Sequence, residues 1–228
     1  MPFSPSPDIA GAPAPGFAAE LRAATAALHV RAERGGILAE LLRGRSGRAG
    51  YALLLRNLWP VYDAMEARLA SRAAAVPWLA PFVAPGFARS AAIAADLATL
   101  AGGDWATRLP MTPAGMRYVR RIARVADSDG RLLAHAYVRV LGDLSGGQVL
   151  ARVLTHRHGL TPAALQALSF PALPDLDAAK RSWRAALDAA GAHLPDRAAA
   201  LREAQVAFRL NIALGEAVQQ AMRAASVP

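Results

Sequence analysis

The sequence predicts an all-α protein. Alanine and leucine dominate its 228 residues, aromatic residues make up only 6%, and no β-branched run alternates with polar residues. Apolar residues instead recur at spacings of three and four, the pattern of amphipathic helices. This length suits one ordinary domain with a sizeable core. We therefore expect a single-domain multi-helix bundle over residues 17–225, preceded by a disordered tail at residues 1–16, which are rich in proline, glycine and small residues.

The first helix is predicted from about Phe17 to Arg34, because the Gly35–Gly36 pair that follows is a helix-ending signal. Arg22, His29 and Glu33 share one face of this helix, since they are separated by seven and four residues. A histidine on an amphipathic helix is more often a surface or packing residue than a ligand. The spacing alone therefore leaves the role of His29 open.

Up to residue 125, the sequence predicts four more helices, one of them short. The longest should cross Pro60, which interrupts the backbone hydrogen bonding of a helix and favours a kink. On sequence alone, Tyr62 in this helix is as well explained by core packing as by a site. The expected elements are a short helix from Ile37 to about Arg43, a long helix over Arg48–Arg72, a proline-broken connection over Pro77–Gly86, a helix over Ser90–Ala101, and a helix from Thr112 or Pro113 to about Val125 with Arg117, Arg120, Arg121 and Arg124 on its outer face.

A long helix follows, with N-cap candidates at Asp127, Ser128 and Asp129 and an end near His156–Gly159. It contains three glycines in its interior, Gly142, Gly146 and Gly147, each of which costs a helix about 1 kcal/mol relative to alanine. Bare backbone over more than one turn allows a flat, bulky partner to approach closely, and the adjacent glycines favour a kink. For His135 in the same helix we expect a packing or surface role.

Three elements complete the chain: a short helix over Thr161–Leu168 capped by Thr161, a helix over Asp175–Ala190, and a last helix from Pro195 to about Ala224. Lys180 and Arg184 lie one turn apart in the second of these. Such a cation pair is as well explained by a solvated face as by an anionic ligand.

Two motifs resemble one known family. The run YVRVLGDLSGGQVLARV, which begins at Tyr137, closely resembles the distal helix of the haem (heme) oxygenases, and the run LRAATAALHVRAE, which begins at Leu21, is similar to their proximal helix. The resemblance extends more weakly from about Phe17 to Gln220. Two separated motifs are far more specific than a glycine pair in a helix. The resemblance implies a haem sandwiched between a proximal helix and a kinked distal helix.

The resemblance also implies roles for individual residues. His29 would be the neutral axial ligand of the iron, oriented by Glu33. Asp143 would anchor a water beside bound dioxygen, and Gly142 and Gly146 would guide that oxygen toward the ring. The other implied residues are Arg139, Tyr62 and Asn211 in the hydrogen-bond network of Asp143; Arg22, Lys180 and Arg184 as partners of the haem propionates; and Tyr137, Gly147 and Phe208 as haem contacts.

The activity implied is the oxidative cleavage of haem to biliverdin with release of CO and ferrous iron. It requires O2 and electrons from an external donor, such as a ferredoxin or a flavoprotein reductase, and a bilin-using photoreceptor is a further partner to consider. Val140 departs from the family pattern, because many relatives have tyrosine there, so we expect at most slower proton delivery. A haem carrier or sensor remains the alternative, although it would not need Arg139, Asp143 and Asn211 together.

Composition limits the remaining classes. The absence of cysteine excludes disulfides, thiolate-ligated haem and the nucleophile that a thiaminase-like helical hydrolase normally needs, and it fits a cytoplasmic protein. The net charge of +9 raises nucleic acid as a partner. However, the arginines are scattered over nearly every helix, so we expect a solvated basic surface that suits an acidic electron donor, and no nucleic acid. Prolines interrupt the most apolar region, residues 73–88, so no membrane span is expected.

Overall fold

The computed structural model describes residues 15–225, which form nine α-helices and three 3-10 segments and contain no β-strand. The all-α fold is therefore confirmed, whereas the tail expected at residues 1–16 lies outside the described residues except for Pro15 and Gly16. The helices are α1 (Phe17–Arg34), α2 (Gly36–Leu42), α3 (Gly47–Ala73), α4 (Ser90–Ala101), α5 (Trp105–Arg108), α6 (Pro113–Val125), α7 (Asp129–His158), α8 (Leu176–Gly191) and α9 (Arg197–Ala225), and the 3-10 segments are Pro77–Val83, Pro162–Ala164 and Gln166–Leu168.

The C-terminal helix α9 is the central helix of the bundle, because it packs against α1, α2, α3, α6 and α7. Its inward face carries Ala204, Ala207, Leu214 and Val218, all of which are buried. Small residues on this face allow neighbouring helices to approach closely. The position of α9 therefore fixes α1 relative to α7.

The junction between α1 and α2 depends on a close backbone contact with α9. Gly36 has a φ of +65°, and a Cβ atom at this position would lie 2.8 Å from the backbone carbon of Gly215. Only glycine satisfies both conditions without strain. The Gly35–Gly36 signal thus ends α1 and lets the chain turn directly into α2 against α9.

Helix α7 is continuous from Asp129 to His158, so any kink at its glycines does not break it. It ends at Gly159 in the left-handed conformation, and the N–H groups of Gly159 and Leu160 donate to the carbonyls of Thr155 and Leu154. This is the expected glycine-capped end. At the other end, Ser128 occupies the N-cap without a side-chain hydrogen bond, and Asp129 instead pairs with Arg72 of α3 at 2.6 Å.

Two local expectations were wrong. The helix expected over Thr161–Leu168 is a pair of short 3-10 segments, and the Thr161 side chain makes no capping bond there. Arg121 was expected on the outer face of α6 with its neighbouring arginines, but its guanidinium turns inward and binds Glu203 of α9. Helix α5 lies between the helix expected over Ser90–Ala101 and the one expected from Thr112 or Pro113, where no element was predicted.

A buried polar cluster joins α6, α7 and α9. Glu203 accepts two bonds from Arg121, and Nε2 of His135 lies 2.9 Å from Oε1 of the same carboxylate. His135 has no exposed surface, which confirms its packing role. Burial raises the pKa of Glu203, but its bonds from His135 and Arg121 outweigh this effect and lower the pKa to about 2. The carboxylate therefore stays ionised inside the bundle.

None of the helices within residues 15–225 combines the length and the hydropathy needed to span a membrane.

Candidate functional site

A cavity of about 1020 Å³ opens between α1 and α7. Its walls are completed by α2, α3 and α9, and most of the residues that line it are apolar. The volume lies at the upper end of the range for pockets that bind small organic molecules. A large, flat, mainly apolar ligand therefore fits this space.

Helix α1 presents one imidazole to the cavity. The side chain of His29 lines it and is 56% exposed, and its ring meets Phe208 of α9 edge to face at a centroid distance of 5.9 Å. Nδ1 of His29 faces Oε1 of Glu33 at 3.6 Å, which is too long for a direct hydrogen bond. Nε2 is therefore the nitrogen left to bind a metal atom in the cavity.

Helix α7 presents bare backbone to the same cavity. A Cβ atom built on Gly142 or Gly146 would meet no atom within 4 Å, so both glycines border open space. Gly147 differs, because it is buried and its Cβ would lie 3.4 Å from Leu168, which also lines the cavity. Gly142 and Gly146 thus provide a flat surface without side chains, and Gly147 lies where α7 meets the 3-10 segment Gln166–Leu168.

The polar network predicted around Asp143 is assembled at one end of the cavity. The Arg139 guanidinium donates to the Tyr62 hydroxyl at 2.9 Å, to Oδ1 of Asn211 at 2.7 Å and to Oδ1 of Asp143 at 3.3 Å. The Tyr62 hydroxyl donates to the other carboxylate oxygen of Asp143 in a short bond. One cation thus holds three side chains from α3, α7 and α9.

Electrostatics in this network favour a tightly held but basic carboxylate. Burial raises the pKa of Asp143 above its ordinary value, while the Arg139 cation, the Tyr62 hydroxyl and Arg89 oppose that rise. Burial also holds the pKa of Tyr62 well above its ordinary value, so the phenol keeps its proton. Asp143 is therefore well suited to accept a hydrogen bond from a water molecule and to receive or release a proton.

Only two of the three proposed propionate partners reach the cavity. Arg22 and Arg184 line it, and neither side chain forms an ion pair with any residue from 15 to 225. Lys180 does not line it and is instead paired with Asp177 at 2.6 Å. Asp188 also borders the cavity, and it caps α1 by accepting a bond from the Ala18 N–H at 2.8 Å.

The remaining predicted contacts lie on the cavity walls. Tyr137 lines the cavity, and its hydroxyl is 3.4 Å from that of Thr25 on α1. Val140, the departure from the family pattern, is buried in the apolar core. The carboxylate of Asp143 is therefore bonded to Arg139 and Tyr62 without a further hydroxyl from position 140.

Sequence reasoning missed several polar residues that line the cavity, among them Arg89 and Tyr51. Arg89 is 6% exposed and precedes α4, where no motif marks it. Tyr51 had a usable signal, because it precedes Tyr62 by eleven residues, or three turns, and so lies on the same face of α3. Its hydroxyl faces the buried carboxylate of Asp96 at 3.5 Å.

Several known proteins are similar to this chain in sequence and in fold. The heme oxygenase family profile matches residues 15–217. Heme oxygenase 1 of Homo sapiens is 35% identical over 88% of this chain and 70% of its own length, and heme oxygenase 1 of Synechocystis is 34% identical over 86% of this chain and 82% of its own length. The crystal structure of Synechocystis heme oxygenase-1 in complex with heme superposes with a TM-score of 0.82 at 30% identity, covering 92% of this chain and 96% of the other. The heme oxygenase structure from Leptospira interrogans has a TM-score of 0.79 at 29% identity, covering 89% and 99%.

Proposed function

This chain belongs to the haem oxygenase family and is an enzyme that degrades haem, and from that premise we propose that it opens the haem ring to biliverdin with release of CO and ferrous iron. The reaction consumes O2 and electrons from an external donor. One observation carries the proposal. An imidazole on α1 and the bare face of Gly142 and Gly146 on α7 border one cavity, which also contains the Asp143 network.

The residues present fit a haem. Gly142 and Gly146 leave a cradle that a single Cβ atom would begin to fill, and the apolar walls suit a porphyrin. Nε2 of His29 is free to hold the iron, and the Glu33 carboxylate faces the other ring nitrogen, Nδ1, at 3.6 Å, close enough to orient the ring once the two groups move together. No group of three or more His, Cys, Asp or Glu residues within residues 15–225 forms an alternative metal site. Ligation by one imidazole is the metal chemistry that these residues support.

Bound haem supplies both the iron at which dioxygen is reduced and the ring that is cleaved. The side chains of the protein direct this chemistry. Bare backbone at positions 142 and 146 would let α7 lie close to a bound haem and would crowd oxygen toward the porphyrin edge. The carboxylate of Asp143 accepts a hydrogen bond from a water molecule, through which a proton reaches the dioxygen beside α7. Arg139, Tyr62 and Asn211 keep that carboxylate in place.

Arg22 and Arg184 bind the propionates in this proposal, because their guanidinium groups line the cavity and have neither an ion pair nor a hydrogen bond among residues 15–225, whereas Arg89 is already bonded to the carbonyls of Ser169 and Gly86. Lys180 joins them only if it leaves Asp177, with which it pairs through an exposed carboxylate. The haem also contacts three further cavity-lining residues in this proposal, Phe208, Tyr137 and Gly147. The propionate partners decide which edge of the ring faces the Asp143 network.

The partners in this proposal follow from the reaction and the charge. The basic surface suits an acidic electron donor, either a ferredoxin or a flavoprotein reductase. The product suits a bilin-using photoreceptor, and the absence of cysteine suits the cytoplasm.

The test is reconstitution with ferric haem followed by reduction in air with ascorbate or with a ferredoxin and its reductase. We expect the Soret band to disappear, CO to form, and chromatography to identify a biliverdin isomer. A haem complex that survives many reduction cycles unchanged would identify a carrier or sensor instead. Failure to take up haem would exclude both functions.

A further inference from the structure

Helix α7 contacts a segment that we call the wall, residues 162–170, through Gly147 and Gln148. Ala167 and Leu168 of the wall line the cavity. The wall contains two short 3-10 segments, so several of its backbone groups lack a regular helical partner. Such groups must be satisfied elsewhere when they are buried.

Charged side chains hold the wall on the α4 side. The fully buried carboxylate of Asp96 accepts bonds from the N–H groups of Gln166 at 2.7 Å and Ala167 at 2.9 Å. Arg89 donates to the carbonyl of Ser169 at 2.5 Å and stacks on the ring of Phe170 at 4.1 Å. The wall is therefore fastened to α4 and to the residue that precedes it.

Gln148 holds the wall on the α7 side. Its side-chain Nε2 donates to the Leu168 carbonyl at 2.8 Å. It directly follows Gly147, whose Cβ position lies 3.4 Å from the Leu168 side chain. The hydrogen bond and the close approach therefore occur at the same point, where α7 meets the wall.

Hydrogen bonds of Arg139 and Asp143 to Tyr62 and Asn211 hold α7 at one end of the cavity, but the bare turn that follows Asp143 has little on its cavity side to hold it. No atom lies within 4 Å of the Cβ positions of Gly142 and Gly146, and Val149 is 45% exposed. Leu144 and Leu150 in the same part of α7 are buried, but apolar contacts are not directional. A hydrogen bond has a required distance and angle, so Gln148 fixes α7 in a way that these leucines cannot.

We propose that Gln148 is a positioning residue, which ties α7 to the wall and thereby sets how closely the bare face of Gly142 and Gly146 approaches the haem. The inference rests on the proposed haem site. If Gln148 has this role, loss of its side-chain amide should let α7 shift away from the haem. Haem affinity should then fall, and oxidation should occur at more than one ring carbon.

The test compares Q148L with Q166L. Gln166 provides a matched control, because its Nε2 also donates to a backbone carbonyl, that of Ala163 at 3.1 Å, but this exposed bond stays within the wall. For Q148L we expect amide hydrogen exchange at residues 166–169 of the haem-free protein to rise about tenfold and haem affinity to fall about tenfold, since a buried carbonyl loses its donor. We also expect a mixture of bilin isomers. Q166L should change each quantity less than about twofold.

Q148E provides a second variant with nearly the same shape, whose ionised carboxylate cannot donate, and it should behave as Q148L does even if the leucine variant folds poorly. Equal exchange, affinity and isomer ratio in the Gln148 variants and Q166L would overturn the inference. If wild-type protein released no bilin, the proposed function would fail, whereas the exchange and affinity measurements would still decide the role of Gln148.

Discussion

Arg139 is the residue on which the order of the polar end of the cavity depends. Its guanidinium contacts Tyr62, Asp143 and Asn211, and it also lies over the Tyr62 ring at 5.1 Å. A planar cation with several fixed donors can satisfy all three partners at once, which a lysine ammonium at the same place could not do with the same geometry. The position of Asp143 is therefore determined by residues on three helices.

The acid limb of the pH–rate profile should report the ionisation of Asp143. Burial raises the pKa of this carboxylate, and the Tyr62 hydroxyl bond lowers it again. If the ionised form is active, activity is lost as the pH falls through this raised pKa. In Y62F the opposing bond is absent, so the pKa of Asp143 rises further, and we expect the acid limb of kcat to move to higher pH. Y118F is the control, because the Tyr118 hydroxyl faces His135 at 3.5 Å and should leave the limb in place.

His29→Ala should remove the axial ligand of the iron. We expect an altered Soret spectrum and loss of most turnover, with partial recovery of both on addition of imidazole, which can occupy the space left by the side chain. His156→Ala changes an exposed histidine at the end of α7 and should alter neither quantity. Normal ligation and full activity of the His29 variant without imidazole would contradict the assignment.

Among the secondary-structure elements, α7 is made less stable by its glycines, which in turn leave one of its faces without side chains. A Gly146→Ala change places its methyl group where the protein has no atom within 4 Å, in an exposed helical position. We therefore expect the haem-free protein to gain about 1 kcal/mol of stability. Haem affinity should fall about tenfold or more, because the methyl group occupies ligand space. Chemical denaturation and haem titration measure the two effects.

Gly159→Ala is the matched comparison for that experiment. This glycine also has open space around its Cβ position, but its φ is +62°, so alanine should destabilise the protein by about 1 kcal/mol and leave haem uptake unchanged. A Gly146 variant that behaved in the same way would show that the bare face is not a ligand surface.

The cluster of Glu203, His135 and Arg121 joins three helices and should make stability depend on pH. A pKa lowered from 4.5 to about 2 corresponds to about 3 kcal/mol of stability, which is present above pH 4.5 and lost as the pH falls toward 2. E203Q should thus be less stable than wild type by about 3 kcal/mol at pH 7, and the difference should narrow in acid. E216Q, which breaks the exposed pair with Arg31, should cost less than about 1 kcal/mol at any pH.

The elements that sequence could predict are those with local causes. The bounds of α1, α4, α6 and α7 follow from apolar periodicity and from glycine or proline at their ends, and each was predicted within about two residues. The wall was mispredicted because its shape depends on Asp96, about 70 residues earlier in the chain, and not on Thr161. Within the cavity, family motifs identified His29 and Asp143. Arg89 carries no such pattern and is brought to the site only by tertiary packing.

At the scale of the whole molecule, a ligand in the cavity would contact several helices at once and so stabilise their packing. The cavity walls come mainly from α1, α2, α3, α7 and α9, with Arg184 and Asp188 from α8, so bound haem should stabilise the folded state against unfolding of these helices. At a free concentration about 100 times Kd, the gain is about 2.7 kcal/mol, which raises Tm by about 5 to 10 °C in a protein of this size. Calorimetry with and without haem measures this shift.

Protoporphyrin without iron separates fit from ligation in the same measurement. It has the shape of haem but cannot bind the His29 imidazole, so it should raise Tm by a smaller amount. In His29→Ala the two ligands should give nearly equal shifts. An unchanged advantage of haem over the iron-free ring in that variant would place the iron ligand elsewhere.

A surface made of main chain cannot be tuned in small steps. Where a pocket is lined by leucine or valine, single substitutions can trim or extend it by one methyl group, but at Gly142 and Gly146 every replacement adds at least a whole carbon in the direction of the substrate. Variants that differ in reaction outcome should therefore carry their changes at the rim or behind the helix, while these two positions tolerate almost none.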